Sequence, residues 1–143
     1  KKSSTLIWVK QSAGMGWQDY RAQHEPILYG WKEGSGKHFY CGDRSKTTIW
    51  QIGRDAQASY VHPTQKPVAL PEEAIKNSSK GEDIVLDLFG GSGSTLIACE
   101  KINRHARLME LDPKYCDVIV KRWEDFTGKK AELIEKTDSI SPI

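Results

Sequence analysis

Apolar runs alternate with amphipathic stretches through the second half of the chain, and this alternation predicts an α/β fold. Ile84–Leu88 is a short apolar run of the kind that forms a buried parallel strand. Ser94–Ile102 carries apolar residues at helical spacing, and Ala106–Leu111 has the pattern of a second strand. A further amphipathic helix is predicted from Asp112, a good N-cap followed by proline, to about Phe126.

The first half of the chain is richer in strands. Leu6–Lys10, Ile27–Lys32 and Thr47–Ile52 are moderately apolar and aromatic and are predicted to be three short strands. A helix is expected over Pro67–Ser79, before the strand that begins at residue 84. The length of 143 residues suits a single domain over residues 1–143, with a frayed tail at 137–143.

A glycine-rich loop connects the first strand of the second half to its helix. Gly91 and Gly93 allow a tight turn and a close approach of backbone to a ligand. Asp87 lies at the strand end before the loop, and Glu110 lies about twenty residues beyond it, where nucleotide-binding folds place an acid on ribose hydroxyls. An ordinary strand-to-helix turn is the simpler interpretation. A dinucleotide-binding oxidoreductase is a further alternative, but Leu96 occupies the position of its third glycine.

A second motif lies upstream of the loop. The segment His62–Pro67 reads His-Pro-Thr-Gln-Lys-Pro, and the loop reads Asp-x-Phe-x-Gly-x-Gly from Asp87 to Gly93. Together with Glu110, these motifs resemble the S-adenosylmethionine-dependent DNA amino-methyltransferases, whose motif X and cofactor loop they match. Motif X precedes the loop here, which is the order of the permuted beta class of that family.

The resemblance implies a Rossmann-like methyltransferase fold with a partial mixed sheet, because the strands that come first in the permuted order are missing. It implies double-stranded DNA as substrate, with the target base flipped out, and S-adenosylmethionine as cofactor. The residues expected to hold the cofactor come from motif X, the loop and the second strand: Thr64, Gln65, Lys66, Asp87, Phe89, Gly91, Gly93, Thr95 and Glu110.

Residues 33–60 are expected to include the target-recognition region. This stretch is rich in glycine, basic and aromatic residues, which suit contacts to phosphates and bases. A long hairpin loop with locally packed aromatics is the alternative. The basic residues expected to contact DNA lie in or beside this region: Arg21, Lys37, Arg44, Lys46 and Arg54.

The catalytic tetrapeptide of the family, Asp-Pro-Pro-Tyr or a close variant, is expected to be absent. The sequence contains no Pro-Pro pair, and Asp112–Tyr115 reads Asp-Pro-Lys-Tyr directly after the ribose acid, where a helix cap is the better interpretation. The chain is therefore expected to be the C-terminal part of a methyltransferase, inactive alone and prone to association through its incomplete sheet. A non-catalytic DNA-binding or subunit module is the alternative.

Composition adds limits rather than a function. The net charge of +2 permits nucleic-acid binding without arguing for it. No apolar run approaches the ~20 residues that span a bilayer, and a cytoplasmic protein is expected. Cys41, Cys99 and Cys116 are expected to be reduced, and no metal site is expected. Whether the target base is adenine or cytosine, and which DNA sequence is recognised, cannot be read from these residues.

Overall fold

The computed structural model describes residues 2–43, 45–53 and 65–134. Within them, the elements follow one another as β1 Lys2–Val9, β2 His24–Gly30, β3 Ile49–Gln51, α1 Ala69–Ser78, β4 Ile84–Asp87, α2 Ser94–Lys101, β5 His105–Leu108 and α3 Pro113–Thr127. Each strand and helix predicted from the sequence is present, so the α/β fold class is confirmed. The extents differ: β1 begins four residues earlier than predicted, at Lys2, and β3 forms only three of the six residues predicted for it.

The strands form two separate small sheets. In the first, β1 lies between β2, to which it is antiparallel, and β3, to which it is parallel. In the second, β4 and β5 are parallel neighbours, with Ile84 opposite His105. The two sheets do not pair with each other, and β4 is hydrogen-bonded to β5 alone within the described residues.

The core lies on one face of the β4–β5 sheet. Ile75 of α1 and Ala98 and Cys99 of α2 are buried there, and Val85 and Ala106 of the strands pack against them. Burial also raises the pKa of the Cys99 thiol, which keeps it protonated and unreactive. This core fixes the strand end and the helix start between which the glycine-rich loop runs.

The opposite face of β4 is bare. Ile84, Leu86 and Leu88 point to that side and remain 68%, 64% and 50% exposed. The face continues on the β5 side with Met109 and Leu111, which are 60% and 97% exposed. Parallel strands are normally covered on both faces, so this exposed apolar face is unusual for a parallel sheet.

The helix α3 begins and ends as its sequence predicts. The Asp112 carboxylate accepts the Lys114 N–H at 2.9 Å, Pro113 is the first helical residue, and Gly128 ends the helix with φ of 71°. Ile119 is buried as expected, whereas Val120 is 44% exposed. The capping role of Asp112 is thus confirmed.

Candidate functional site

A cavity of about 420 Å³ lies where the glycine-rich loop meets the segment that leads into α1. The end of β4, the loop and the start of α2 form one wall, residues 65–74 form a second, and one side chain each from β2 and β3 completes it. The lining residues are Ile27, Trp50, Gln65, Lys66, Leu70, Pro71, Ala74, Asp87, Phe89, Gly90, Gly91, Ser92, Ser94 and Thr95. Six residues predicted from sequence to hold a cofactor therefore meet around one space.

The loop conformation depends on its glycines. Gly91 and Gly93 have φ of 54° and 77°, in the left-handed region that favours glycine. A side chain at Gly93 would also lie 3.3 Å from two side-chain carbons of Ile119, so α3 packs directly against the loop backbone. The loop backbone therefore approaches α3 closely at Gly93 and lines the cavity at Gly91, whereas its close approach to a ligand stays a prediction.

Asp87 connects the end of β4 to both sides of the loop. One carboxylate oxygen accepts the backbone N–H of Phe89 at 3.0 Å, and the other accepts the hydroxyl of Thr95 at 2.6 Å. These bonds orient the carboxylate toward the start of α2, where it lines the cavity. Phe89, the next residue but one, is 87% exposed at the cavity rim.

Glu110 lies behind the loop rather than in the cavity wall. One oxygen of its carboxylate accepts the Gly91 N–H at 2.7 Å, and the other accepts the N–H groups of Leu111 and Asp112 at 2.8 and 3.0 Å. The acid predicted from its spacing is therefore brought to the loop, and it ties the end of β5 to the loop by hydrogen bonds to a charged acceptor.

Lys66 belongs to motif X and joins the two sheets. Its ammonium lies 2.6 Å from the Glu25 carboxylate of β2 and 5.5 Å from the centre of the Trp8 ring. Lys10, which is buried, reaches the other oxygen of Glu25 at 3.3 Å. Burial alone raises the pKa of Glu25, but the hydrogen bonds and charges of Lys66 and Lys10 outweigh it and hold that pKa below its ordinary value. Two cations around one carboxylate leave a net positive charge at this side of the cavity.

Sequence reasoning missed eight of the lining residues, two of them serines, and also the arginine that contacts those serines. Ser92 and Ser94 are buried in the loop and at the start of α2, and both line the cavity. One guanidinium nitrogen of Arg122, Nη1, lies 2.9 Å from the Ser92 carbonyl oxygen and 3.2 and 3.3 Å from the two serine hydroxyls. The arginine comes from α3, 28 residues beyond Ser94, so no local pattern indicates the contact.

The basic residues predicted to contact DNA have different surroundings. Lys46 pairs with Glu73 of α1 at 2.6 Å, whereas Lys37 lies over the Tyr40 ring at 5.2 Å. Arg21 is exposed. A backbone bond from Tyr40 to the Asn77 carbonyl oxygen, 2.7 Å long, fastens this loop to α1. The loop that contains Tyr40 therefore packs on the helix that also borders the cavity.

Some predicted residues lie outside the described part of the chain: Thr64, Arg44, Arg54 and the tail at 137–143. In residues 2–43, 45–53 and 65–134, no group of three His, Cys, Asp or Glu side chains converges as a metal site. None of the helices in those ranges is long and apolar enough to cross a membrane.

Comparison with known protein families gives one match that covers most of the chain. Residues 2–121 match the family model N6_N4_Mtase, described as DNA methylase. Among curated proteins, the type II methyltransferase M2.MboI of Moraxella bovis is 32% identical over 89 residues, which are 60% of this chain and 33% of the relative. The type II methyltransferase M.HpaI of Haemophilus parainfluenzae is 41% identical over 68 residues, 47% of this chain and 22% of the relative. The chain thus spans about a third or less of these relatives.

Solved structures with the same fold cover more of the chain. The M1.HpyAVI–SAM complex aligns with a TM-score of 0.75 at 28% identity, over 85% of this chain and 62% of that one. TTHA0409 of Thermus thermophilus, complexed with S-adenosyl-L-methionine, aligns with a TM-score of 0.67 at 25% identity, over 88% of this chain and 54% of that one. The Rossmann-like methyltransferase fold expected from the sequence is confirmed.

Proposed function

Because the chain belongs to the N6/N4 DNA methylase family, we propose that it is the cofactor-binding part of a DNA methyltransferase. The enzyme transfers a methyl group from S-adenosylmethionine to the exocyclic amine of adenine or cytosine in double-stranded DNA. The observation that carries the proposal is the cavity, in which motif X, the glycine-rich loop and Asp87 meet. The same residues are those that the family motifs assign to the cofactor.

Two polar groups of the cavity wall, Asp87 and Lys66, and a third behind the loop, Glu110, fit the three parts of S-adenosylmethionine. Glu110, already positioned at the loop by its bond to Gly91, is the proposed acceptor for the ribose hydroxyls. Asp87 faces the ammonium group, directly or through water. Lys66, on the positive side of the cavity, faces the carboxylate. Each of these three pairings brings together opposite charges or a hydrogen-bond donor and an acceptor. Together they position the methyl donor.

S-adenosylmethionine supplies the methyl group from its sulfonium, and the remaining thioether is the leaving group. The proposed role of this chain is to hold and orient the methyl donor. The target amine is buried in a base pair, so the base must leave the duplex before it can meet the methyl group. The loop at residues 33–43 and 45–47 is the proposed contact to DNA, because it packs on α1 at the cavity border through Tyr40. A DNA substrate and a family of restriction–modification enzymes favour the cytoplasm as the site of action.

Asp112–Tyr115 is not the catalytic tetrapeptide in this proposal. The Asp112 carboxylate is engaged as the cap of α3, and its carbonyl oxygen accepts the Tyr115 N–H at 2.9 Å. Tyr115 is half-buried within the first turns of that helix. A residue pair fixed in a helix cap cannot reach across the loop to an amine in the cavity. The chain alone is therefore expected to bind the methyl donor without transferring its methyl group.

The bare face of β4 is the proposed docking surface for the polypeptide that completes the methyltransferase domain. This chain covers 62% of the M1.HpyAVI chain, and the exposed Leu86 lies beside a strand edge that no described strand pairs. A strand on that edge and a helix on that face would bury both. Sedimentation of this chain mixed with the part of the M1.HpyAVI chain that it does not match should show a complex that Leu86→Lys weakens; equal complex formation by wild type and Leu86→Lys would contradict the proposal.

Two measurements test the function. Calorimetry should show binding of S-adenosylmethionine and no binding of NAD, which separates the methyltransferase from the dinucleotide-binding alternative. Transfer of labelled methyl groups to mixed-sequence DNA should be absent for the chain alone. Robust transfer that Tyr115→Ala abolishes while the fold persists would show that Asp112–Tyr115 takes part in catalysis and would overturn its exclusion here. Absence of cofactor binding would reject the function itself.

The subunit-module alternative remains a second candidate because of the basic recognition loop and the bare strand face. It predicts DNA binding by this chain without any affinity for S-adenosylmethionine. The calorimetric measurement therefore distinguishes it as well.

A further inference from the structure

Arg122 stands outside the cavity yet contacts two residues of its wall. It lies on α3, and Nη1 of its guanidinium is within hydrogen-bonding distance of the Ser92 carbonyl oxygen and of the Ser92 and Ser94 hydroxyls. That nitrogen has two protons for three acceptors, so at least one proton is shared. Both serines are buried, at 6% and 7% exposure. An arginine bound in this way restrains the loop between Gly91 and α2.

The direction of the hydrogen bonds between Arg122 and the two serine hydroxyls follows from the chemistry of the guanidinium. A guanidinium only donates, so the Ser94 hydroxyl accepts from Arg122. The single proton of that hydroxyl is then available for its other contact, the carbonyl oxygen of Lys66 at 2.7 Å. The Ser92 hydroxyl, 3.3 Å away, donates to Ser94 in this arrangement. Arg122 therefore occupies an acceptor position of Ser94 and supports the orientation in which the Ser94 proton points at the Lys66 carbonyl oxygen.

The acceptor of that proton belongs to the opposite wall of the cavity. Lys66 has its backbone fixed by Ser94 and its side chain fixed by Glu25 of β2. Pro67, the following residue, is fully buried. The series Arg122–Ser94–Lys66 thus connects α3 to the segment that closes the cavity.

We propose that Arg122 is a positioning residue for the methyl donor, acting through Ser94 to hold the glycine-rich loop and Lys66 at their working separation. The inference rests on the proposed function, since the ligand of the cavity is S-adenosylmethionine in that proposal. Arg122 does not itself line the cavity. Its effect on binding must therefore pass through the serines and Lys66.

A purely structural role is the competing explanation, because α3 also packs against the loop through Ile119. Loss of packing would lower the melting temperature without changing the loop in the folded state. A positioning role changes the loop and the affinity at temperatures far below unfolding. The two explanations differ in measurable ways.

The experiment compares Arg122→Met, Arg122→Lys, Ser94→Ala and the double variant Arg122→Met/Ser94→Ala in the whole chain. Lys121→Met is the matched control, since Lys121 is on the same helix, 75% exposed, and pairs only with Asp125 in the described ion pairs. Calorimetry measures the affinity for S-adenosylmethionine. Hydrogen exchange of residues 90–96 is measured without ligand, at a temperature at which every variant is folded.

Arg122→Met should weaken binding about tenfold, the effect of one net hydrogen bond of about 1.4 kcal/mol. It should also accelerate exchange in residues 90–96. Ser94→Ala should add little in the Arg122→Met background, because both changes interrupt the same connection. Arg122→Lys should recover part of the affinity, since one ammonium can serve some of the three acceptors but lacks the planar guanidinium geometry. Lys121→Met should leave affinity and exchange unchanged.

Affinity within twofold of wild type in Arg122→Met, with unchanged exchange of the loop, would overturn the proposal. Fully additive losses in the double variant would also overturn it. If wild type does not bind S-adenosylmethionine, the proposed function fails. In that case the exchange of residues 90–96 still decides whether Arg122 positions the loop.

Discussion

Replacement of Glu110 by alanine tests the centre of the proposed site, because this carboxylate holds the loop together and is the proposed ribose acceptor. In the structure it accepts three backbone N–H groups, from Gly91, Leu111 and Asp112, at 2.7, 2.8 and 3.0 Å. Glu110→Ala leaves these donors without their acceptor. The Gly91 bond is the part-buried one of the three and should matter most.

The expected loss of stability follows from that geometry. A hydrogen bond to a charged group contributes about 1.5–3 kcal/mol, and the two exposed bonds contribute less because water replaces the lost acceptor. We expect a loss of about 2 kcal/mol in the free energy of unfolding. For a domain of this size that is a fall of roughly 6 °C in melting temperature. Differential scanning calorimetry measures it directly.

The same change should weaken binding of S-adenosylmethionine by about tenfold or more, since two charge-assisted hydrogen bonds to the ribose are lost. Glu110→Gln is the matched control: it keeps the size of the side chain and one acceptor oxygen but loses the charge. It should lie between wild type and Glu110→Ala in both measurements. An unchanged melting temperature together with unchanged affinity in Glu110→Ala would refute the reasoning.

Three further outcomes are expected. Gly93→Ala should lower the free energy of unfolding by about 2–4 kcal/mol, because Gly93 has a positive φ and contacts α3. Gly128→Ala should lower it by only about 1 kcal/mol, because Gly128 has a positive φ but open space around it. Equal losses in urea denaturation would contradict the packing argument. The pKa of Glu25 is lowered from 4.5, so its contribution to folding stability is fully present above pH 4.5 and is lost as the pH falls through the folded-state pKa. The difference in free energy of unfolding between wild type and Glu25→Gln should therefore shrink in acid. A difference that does not depend on pH would refute this. DNA affinity should fall steeply with salt concentration. Lys37→Met should reduce DNA affinity more than Lys46→Met, because the Lys46 ammonium is already paired with Glu73. Gel-shift titrations in which salt has no effect, or in which both variants lose the same affinity, would remove the loop from the proposed interface.

The order of elements and the chemistry of the loop could be predicted from the sequence because both depend on local physics. The apolar run before Asp87 predicts a strand from its pattern alone. Gly91 and Gly93 adopt positive φ, which glycine permits at little cost, and Asp112 and Pro113 start a helix through hydrogen bonds within one turn. Motif X and the spacing from the loop to Glu110 carried the family resemblance.

The partners of these residues could not be predicted, because they depend on side chains that are far apart in sequence. Nothing near Glu25 indicates that it meets Lys66, 41 residues away, and nothing near Ser94 indicates Arg122. Lys46 was predicted to contact phosphate, and only the fold shows that Glu73 lies beside it. Long-range pairing follows from how helices and sheets pack, which a one-dimensional pattern does not record.

The sequence by itself thus determined the fold class, the boundaries of α3 and six of the residues that meet at the cavity. Only the tertiary structure decided that Glu110 accepts the Gly91 N–H of the loop, that one apolar face of β4 is exposed and that Arg122 of α3 contacts the loop. The physical reason is that periodicity and turn preferences are properties of neighbouring residues. Burial and hydrogen-bond partners are properties of the assembled layers, and they appear only when those layers come together.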